Sequence, residues 1–117
     1  MKKLMIALML LPQGLWAAEP TIKAVNAQMS GGGWSFSVTL EHPDSGWDHY
    51  ADGWQVESED GTVLGYRTLH HPHVNEQPFT RSLGGVEIPA GVKSVYIRSH
   101  CLVDGFGKSR FEVKIGN

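Results

Sequence analysis

Trp34-Ser35-Phe36-Ser37-Val38-Thr39-Leu40 alternates large apolar side chains with small hydroxyl-bearing ones along its whole length. Successive side chains of an extended chain leave opposite faces. The pattern therefore predicts a strand that buries Trp34, Phe36, Val38 and Leu40 and turns Ser35, Ser37 and Thr39 outward. A helix of the same composition would scatter the apolar positions around its circumference. This stretch argues for a β protein.

The same two-residue period recurs on both sides of it. Thr21 to Ala27 reads as an extended segment with Ile22 and Val25 as its apolar positions, and Gly31-Gly32-Gly33 supplies the first turn. The strand at Trp34 ends at His42-Pro43, and the segment from Pro43 to Asp52 is rich in turn formers. Gly53 to Glu57 follows, with Trp54 and Val56 on one face. Glu59-Asp60-Gly61 is a turn signal, so Thr62 to Leu69 returns as the second arm of a hairpin. Arg81 to Ile88 forms a fifth strand interrupted by Gly84-Gly85, and Pro89-Ala90-Gly91 turns the chain. Val92 to Cys101 places Val95, Ile97 and Ser99 on one face, Asp104-Gly105-Phe106-Gly107 turns again, and Ser109 to Ile115 closes the series with Phe111, Val113 and Ile115 alternating. About seven short strands without a helical period predict an all-β, antiparallel β-sandwich of immunoglobulin-like type. The cysteine pair of true immunoglobulin domains is absent.

The first 18 residues carry a different signal. Lys2 and Lys3 precede the apolar run Leu4 to Leu11, Pro12 and Gly14 break it, and Ala17 and Ala18 are small, which is the layout of a cleaved signal peptide. The expected division is therefore a signal peptide over residues 1–18 and one β-sandwich domain over 19–117, with a periplasmic or secreted destination. The apolar run is too short to cross a bilayer, so no membrane association is expected after cleavage. Loss of Lys2 and Lys3 leaves 8 basic against 12 acidic residues, a net charge of −4 that argues against nucleic acid as a partner. Cys101 is the single cysteine. An exported chain cannot pair it internally, so the thiol is expected to be buried, metal-bound or paired with another molecule.

Candidate chemistry gathers on histidine. Three of the six lie in His70-His71-Pro72-His73, and the separation of His71 from His73 by one residue sends both rings from the same face of an extended backbone. Strands that run alternately up and down the sandwich place His42, His49, the His70–His73 stretch, His100 and Cys101 together at one end. His49, Asp48, Glu76, His42 or Cys101 could then add a third ligand to the His71 and His73 pair. Imidazole combined with carboxylate or thiolate suits zinc, copper or iron. Arg81 and Glu76 are expected to form a local ion pair, and no nucleophile elbow is present to support hydrolysis.

Two segments carry a resemblance to known proteins. Glu41-His42-Pro43-Asp44-Ser45-Gly46-Trp47-Asp48-His49-Tyr50-Ala51-Asp52-Gly53-Trp54 and Cys101-Leu102-Val103-Asp104-Gly105-Phe106-Gly107 resemble the metal-binding pattern of superoxide reductases, whose domain is immunoglobulin-like. That resemblance implies His42 and His49 as iron ligands and Cys101 as an axial thiolate, with Asp104 standing where that family has its last histidine. The first of these segments, with Glu76-Gln77-Pro78-Phe79 and the hairpin after it, is also similar to the Z subunit of the sulfur-oxidation carrier complex, a protein-binding scaffold of the same fold. The run from Gly46 to Val56 with Leu64 to Leu83 is similar again to small exported bacterial proteins of no established function. The combined expectation is a periplasmic binding module rather than an enzyme, whose histidine-rich end engages a transition metal through His42, His49, His71, His73 and Cys101, or a periplasmic protein partner. The alternatives are a superoxide-reductase-like iron protein and a metal-free scaffold.

Overall fold

The computed structural model describes residues 19–116, and the expected signal peptide lies outside them. The described chain is all-β. Its strands are β1 (Thr21–Ser30), β2 (Gly33–Glu41), β3 (Ala51–Glu57), β4 (Val63–Thr68), β5 (Phe79–Val86), β6 (Ser94–Cys101), β7 (Gly105–Phe106) and β8 (Phe111–Lys114). They form two sheets with antiparallel pairing throughout. The smaller has the order β1-β2-β5, and the larger runs β4-β3-β6-β7 with β8 also paired to β6.

The Trp34 to Leu40 stretch behaves as its alternation predicts. Phe36, Val38 and Leu40 are fully buried, whereas Ser37 and Thr39 face outward and exchange hydroxyl hydrogen bonds with Ser82 and Thr80 of β5 at 2.8 and 2.7 Å. From the opposite sheet, Trp54 and Val56 of β3 and Val95 and Ile97 of β6 meet them, and Phe79 and Val86 close the same core. Each such side chain contributes on the order of 2 kcal/mol by leaving water, which makes this layer the main source of stability. Trp34, expected on the buried face, is only half-buried because it stands near the turn at the sheet's end.

One expected turn proves to be part of a strand. Gly105 and Phe106 pair with Cys101 and His100, so the chain doubles back directly after β6 and the strands number eight. Gly105 makes this possible with a φ of 80°, in the left-handed region where a side chain is strained.

The outer side of β3 is unusual. This strand lies between β4 and β6, and Gln55 and Glu57 on its outward face are nevertheless buried, 7% and 2% exposed. Arg98 donates to Glu57 at 2.8 Å and Arg110 at 3.2 Å, while the Gln55 amide donates at 2.6 Å. Arg110 also lies over the Tyr96 ring. The carboxylate is thus charged, covered and fully partnered.

Candidate metal centre

Side-chain parity builds the site. On β2 the inward positions are Phe36, Val38 and Leu40, and the next inward position past the strand end is His42, 1% exposed. On β6 the inward positions are Val95, Ile97, Ser99 and finally Cys101, which has no exposed surface. The two strands belong to opposite sheets, so an imidazole and a thiol meet where the apolar core ends. The loop from β2 to β3 supplies the third member. A tight turn, in which Ser45 N donates to the His49 carbonyl at 3.0 Å and His49 N to that of Gly46 at 3.1 Å, turns His49 back over His42. The two rings meet edge to face with centroids 5.0 Å apart. One donor atom from each of His42, His49 and Cys101 lies within 4.8 Å of the others.

Hydrogen bonds fix which donors are available. His42 Nδ1 donates to Asp44 Oδ1 at 2.6 Å, so its Nε2 is the nitrogen left for a ligand. That Nε2 and the Nε2 of His49 are both buried without a hydrogen-bond partner. Such buried polar atoms are unfavourable by about 1–3 kcal/mol each unless something satisfies them. Asp44 is itself buried and accepts from Ala51 N on Oδ1 and from His73 N on Oδ2, at 2.9 and 2.8 Å. Gln77 joins the same framework by accepting from His42 N and donating to the His73 carbonyl. Leu102 N donates to the Tyr50 carbonyl at 2.9 Å and ties the loop after Cys101 to the one carrying His49.

Burial pushes the Cys101 thiol above its ordinary range, and the carboxylate of Asp104 beside it acts in the same direction. The thiol points at Asp104 Oδ2 across 3.7 Å, and that oxygen is 3.6 Å from His49 Nε2. Two neutral imidazoles and one sulfur suit zinc or copper, and a metal would displace the thiol proton on binding. The carboxylate on His42 Nδ1 is the usual support of a metal-bound histidine, since it sets the tautomer and the ring's direction.

A protein of Halomicrobium mukohataei named "Putative lipoprotein" is 46% identical to the chain over 90 residues, which make up 76% of this chain and 44% of that protein. The chain thus spans less than half the length of this curated relative. No protein family matches the chain, and no solved structure does.

The register shows how the histidine-bearing segments gather. β2 ends beside the start of β5, where Leu40 pairs with Phe79, and β3 begins beside the end of β6, where Ala51 pairs with Cys101. His42, His49, the His70–His73 segment, His100 and Cys101 therefore share one end. They do not share one site. His71 and His73 have rings 4.7 Å apart, but neither joins the group formed by His42, His49 and Cys101. His73 stacks on Phe79, and its Nε2 accepts from the Arg81 guanidinium at 2.9 Å, so a cation already covers that lone pair. His100 is on the outward face of β6, hydrogen-bonded to Asp52 Oδ1 at 2.5 Å. Glu76 pairs with Arg81 at 3.4 Å, as the sequence leads one to expect, and Asp48 is exposed. Among the described residues, the three positions that the superoxide reductase resemblance implies as ligands, His42, His49 and Cys101, do come together, but no further histidine joins them.

Asp44 is the residue that sequence reasoning missed. Within Pro43-Asp44-Ser45-Gly46 it reads as a turn former. Its position two residues after His42 was the available signal, because a carboxylate so placed can reach back to the imidazole.

Proposed function

We propose that the protein is a small exported module of immunoglobulin-like type that holds one transition-metal ion through His42, His49 and Cys101. The observation that carries this reading is the pair of buried, unpartnered imidazole nitrogens facing a buried thiol, with Asp44 holding one ring from behind. A metal ion satisfies both nitrogens at once, whereas without one His42 Nε2 has no partner and His49 Nε2 has only the Asp104 carboxylate, 3.6 Å away and beyond hydrogen-bond distance. The strand pairing supports the fold type: β1, β2 and β5 make one sheet and β4, β3, β6, β7 and β8 the other, an arrangement in keeping with immunoglobulin-like sandwiches. Export is supported by the charged and apolar start of the sequence and by the name of the Halomicrobium mukohataei relative.

Metal analysis tests the reading. Protein made without an affinity tag and dialysed separately against zinc, copper and iron should retain one ion per chain. The variants His42→Ala, His49→Ala and Cys101→Ser should each lower retention, while His71→Ala should leave it unchanged. Retention of no metal by the folded wild type, or loss through His71→Ala alone, excludes this site.

A further inference from the structure

A fourth donor stands at the mouth of the cluster. Asp104 occupies the short connection between β6 and β7, with its side chain 34% exposed, whereas His42 and Cys101 are fully covered. Its Oδ2 lies 3.6 Å from His49 Nε2 and 3.7 Å from Cys101 Sγ. Tetrahedral zinc holds nitrogen and oxygen at about 2.0–2.2 Å and sulfur at about 2.3 Å, so adjacent ligand atoms are separated by roughly 3.3–3.8 Å. The carboxylate oxygen therefore stands at tetrahedral edge distance from His49 and Cys101, whereas it is outside the group whose donor atoms all lie within 4.8 Å of one another, so closing a four-coordinate shell requires the β6–β7 connection to bring it toward His42.

We propose that Asp104 is the closing ligand of the site and that His42, His49, Cys101 and Asp104 together hold a divalent ion of the zinc class in a four-coordinate shell. The assignment rests on the metal reading above and extends it to the ligand count, the geometry and the charge. A thiolate and a carboxylate neutralise a divalent cation, and the two imidazoles complete a shell without adding charge. His42 and Cys101 form the covered floor, and His49 and Asp104, each with a side chain 34% exposed, form the side toward solvent. Four protein ligands leave no open position, so the ion is structural or carried, and water activation or substrate binding at the metal is not expected.

The test uses the whole chain without an affinity tag, titrated with cobalt(II) in place of zinc. Wild-type protein should bind one cobalt and show the intense visible absorption of tetrahedral cobalt together with ultraviolet thiolate-to-cobalt charge transfer, both abolished by excess zinc. Asp104→Ala, checked for unchanged folding by circular dichroism, should bind cobalt at least about tenfold more weakly. The cobalt it retains should lose visible intensity while the thiolate band remains. An Asp104→Ala protein with wild-type affinity and an unchanged visible spectrum overturns the assignment of Asp104 and leaves the three-donor site standing. A folded wild type that takes up neither cobalt nor zinc overturns both.

Discussion

The carboxylate of Asp44 accepts from His42 Nδ1 with one oxygen and from the backbone N–H of His73 with the other, at 2.6 and 2.8 Å. A single buried side chain thus aims an imidazole at the candidate metal and secures the His70–His73 loop beside it. Asp44→Ala should damage both functions. Three hydrogen-bond donors lose their acceptor inside the protein, which should cost about 3 kcal/mol or more in urea unfolding. Metal affinity should fall by about 10–100-fold, as for other carboxylates that support a ligating histidine. A variant destabilised to this extent that nevertheless binds metal like the wild type limits Asp44 to holding the loops.

Cys101 has no exposed surface, so its sulfur should be reachable only when the end of the core opens. In native buffer, labelling by a thiol-reactive disulfide reagent is expected to be slow and to accelerate with urea in step with unfolding. Added zinc should slow it further. Prompt labelling of the folded protein in buffer means that a path to the sulfur exists that the static structure lacks.

The strand periods and the gathering of the histidines at one end are both legible in the sequence, because period-two alternation fixes strands and faces, and strand count fixes which turns share an end. The pairing of His42 with Cys101 across the core follows from the same parity: each is the next inward position at the end of its alternating strand. What the sequence hides is competition for each ring. His71 and His73 have the spacing of a chelate, yet Arg81, eight residues beyond His73, occupies the nitrogen that a metal needs. Asp44 is hidden for a related reason, since an aspartate in a turn-rich loop looks the same whether it caps a backbone amide or an imidazole. The two-residue β7 escapes because a strand that short has no period to detect.

Glu57 makes an acid-sensitive contribution to stability. Burial works to raise its pKa, but the hydrogen bonds from Arg98, Gln55 and Arg110 outweigh burial and hold it below the ordinary value of 4.5. A group whose folded pKa is depressed stabilises the fold above its unfolded value, and that stabilisation is lost as pH falls through the folded one. Wild-type stability should therefore drop on acidification below about pH 4.5, and Glu57→Gln should be less stable at neutral pH but flatter across this range. Removing the cations is the harsher change. Arg98→Ala with Arg110→Ala strands a charge that is 2% exposed and should cost about 3–5 kcal/mol at neutral pH. Urea unfolding of the three proteins between pH 3 and 7 measures both effects; parallel pH profiles for wild type and Glu57→Gln exclude Glu57 as the source.

His73 should titrate in the opposite sense from an exposed histidine that gains an acidic partner. Burial lowers its pKa below 6.5, and the charges of Arg81 and His71 lower it further, with Glu76 and Asp44 opposing them. Because the Arg81 guanidinium can only donate, the His73 Nε2 that accepts from it carries no proton, and neutral His73 is the form the fold holds. Its stabilisation is complete above pH 6.5 and is lost as pH falls from there through the depressed folded value. Arg81→Met removes one of the forces that depress the pKa, so the His73 ring should titrate closer to 6.5 in proton NMR. The loss of stability as pH falls below about 6.5 should become shallower at the same time, although the variant starts lower by about 1 kcal/mol for the missing hydrogen bond. A His73 titration that does not move in Arg81→Met means that burial alone sets it and that the guanidinium serves only to hold the ring.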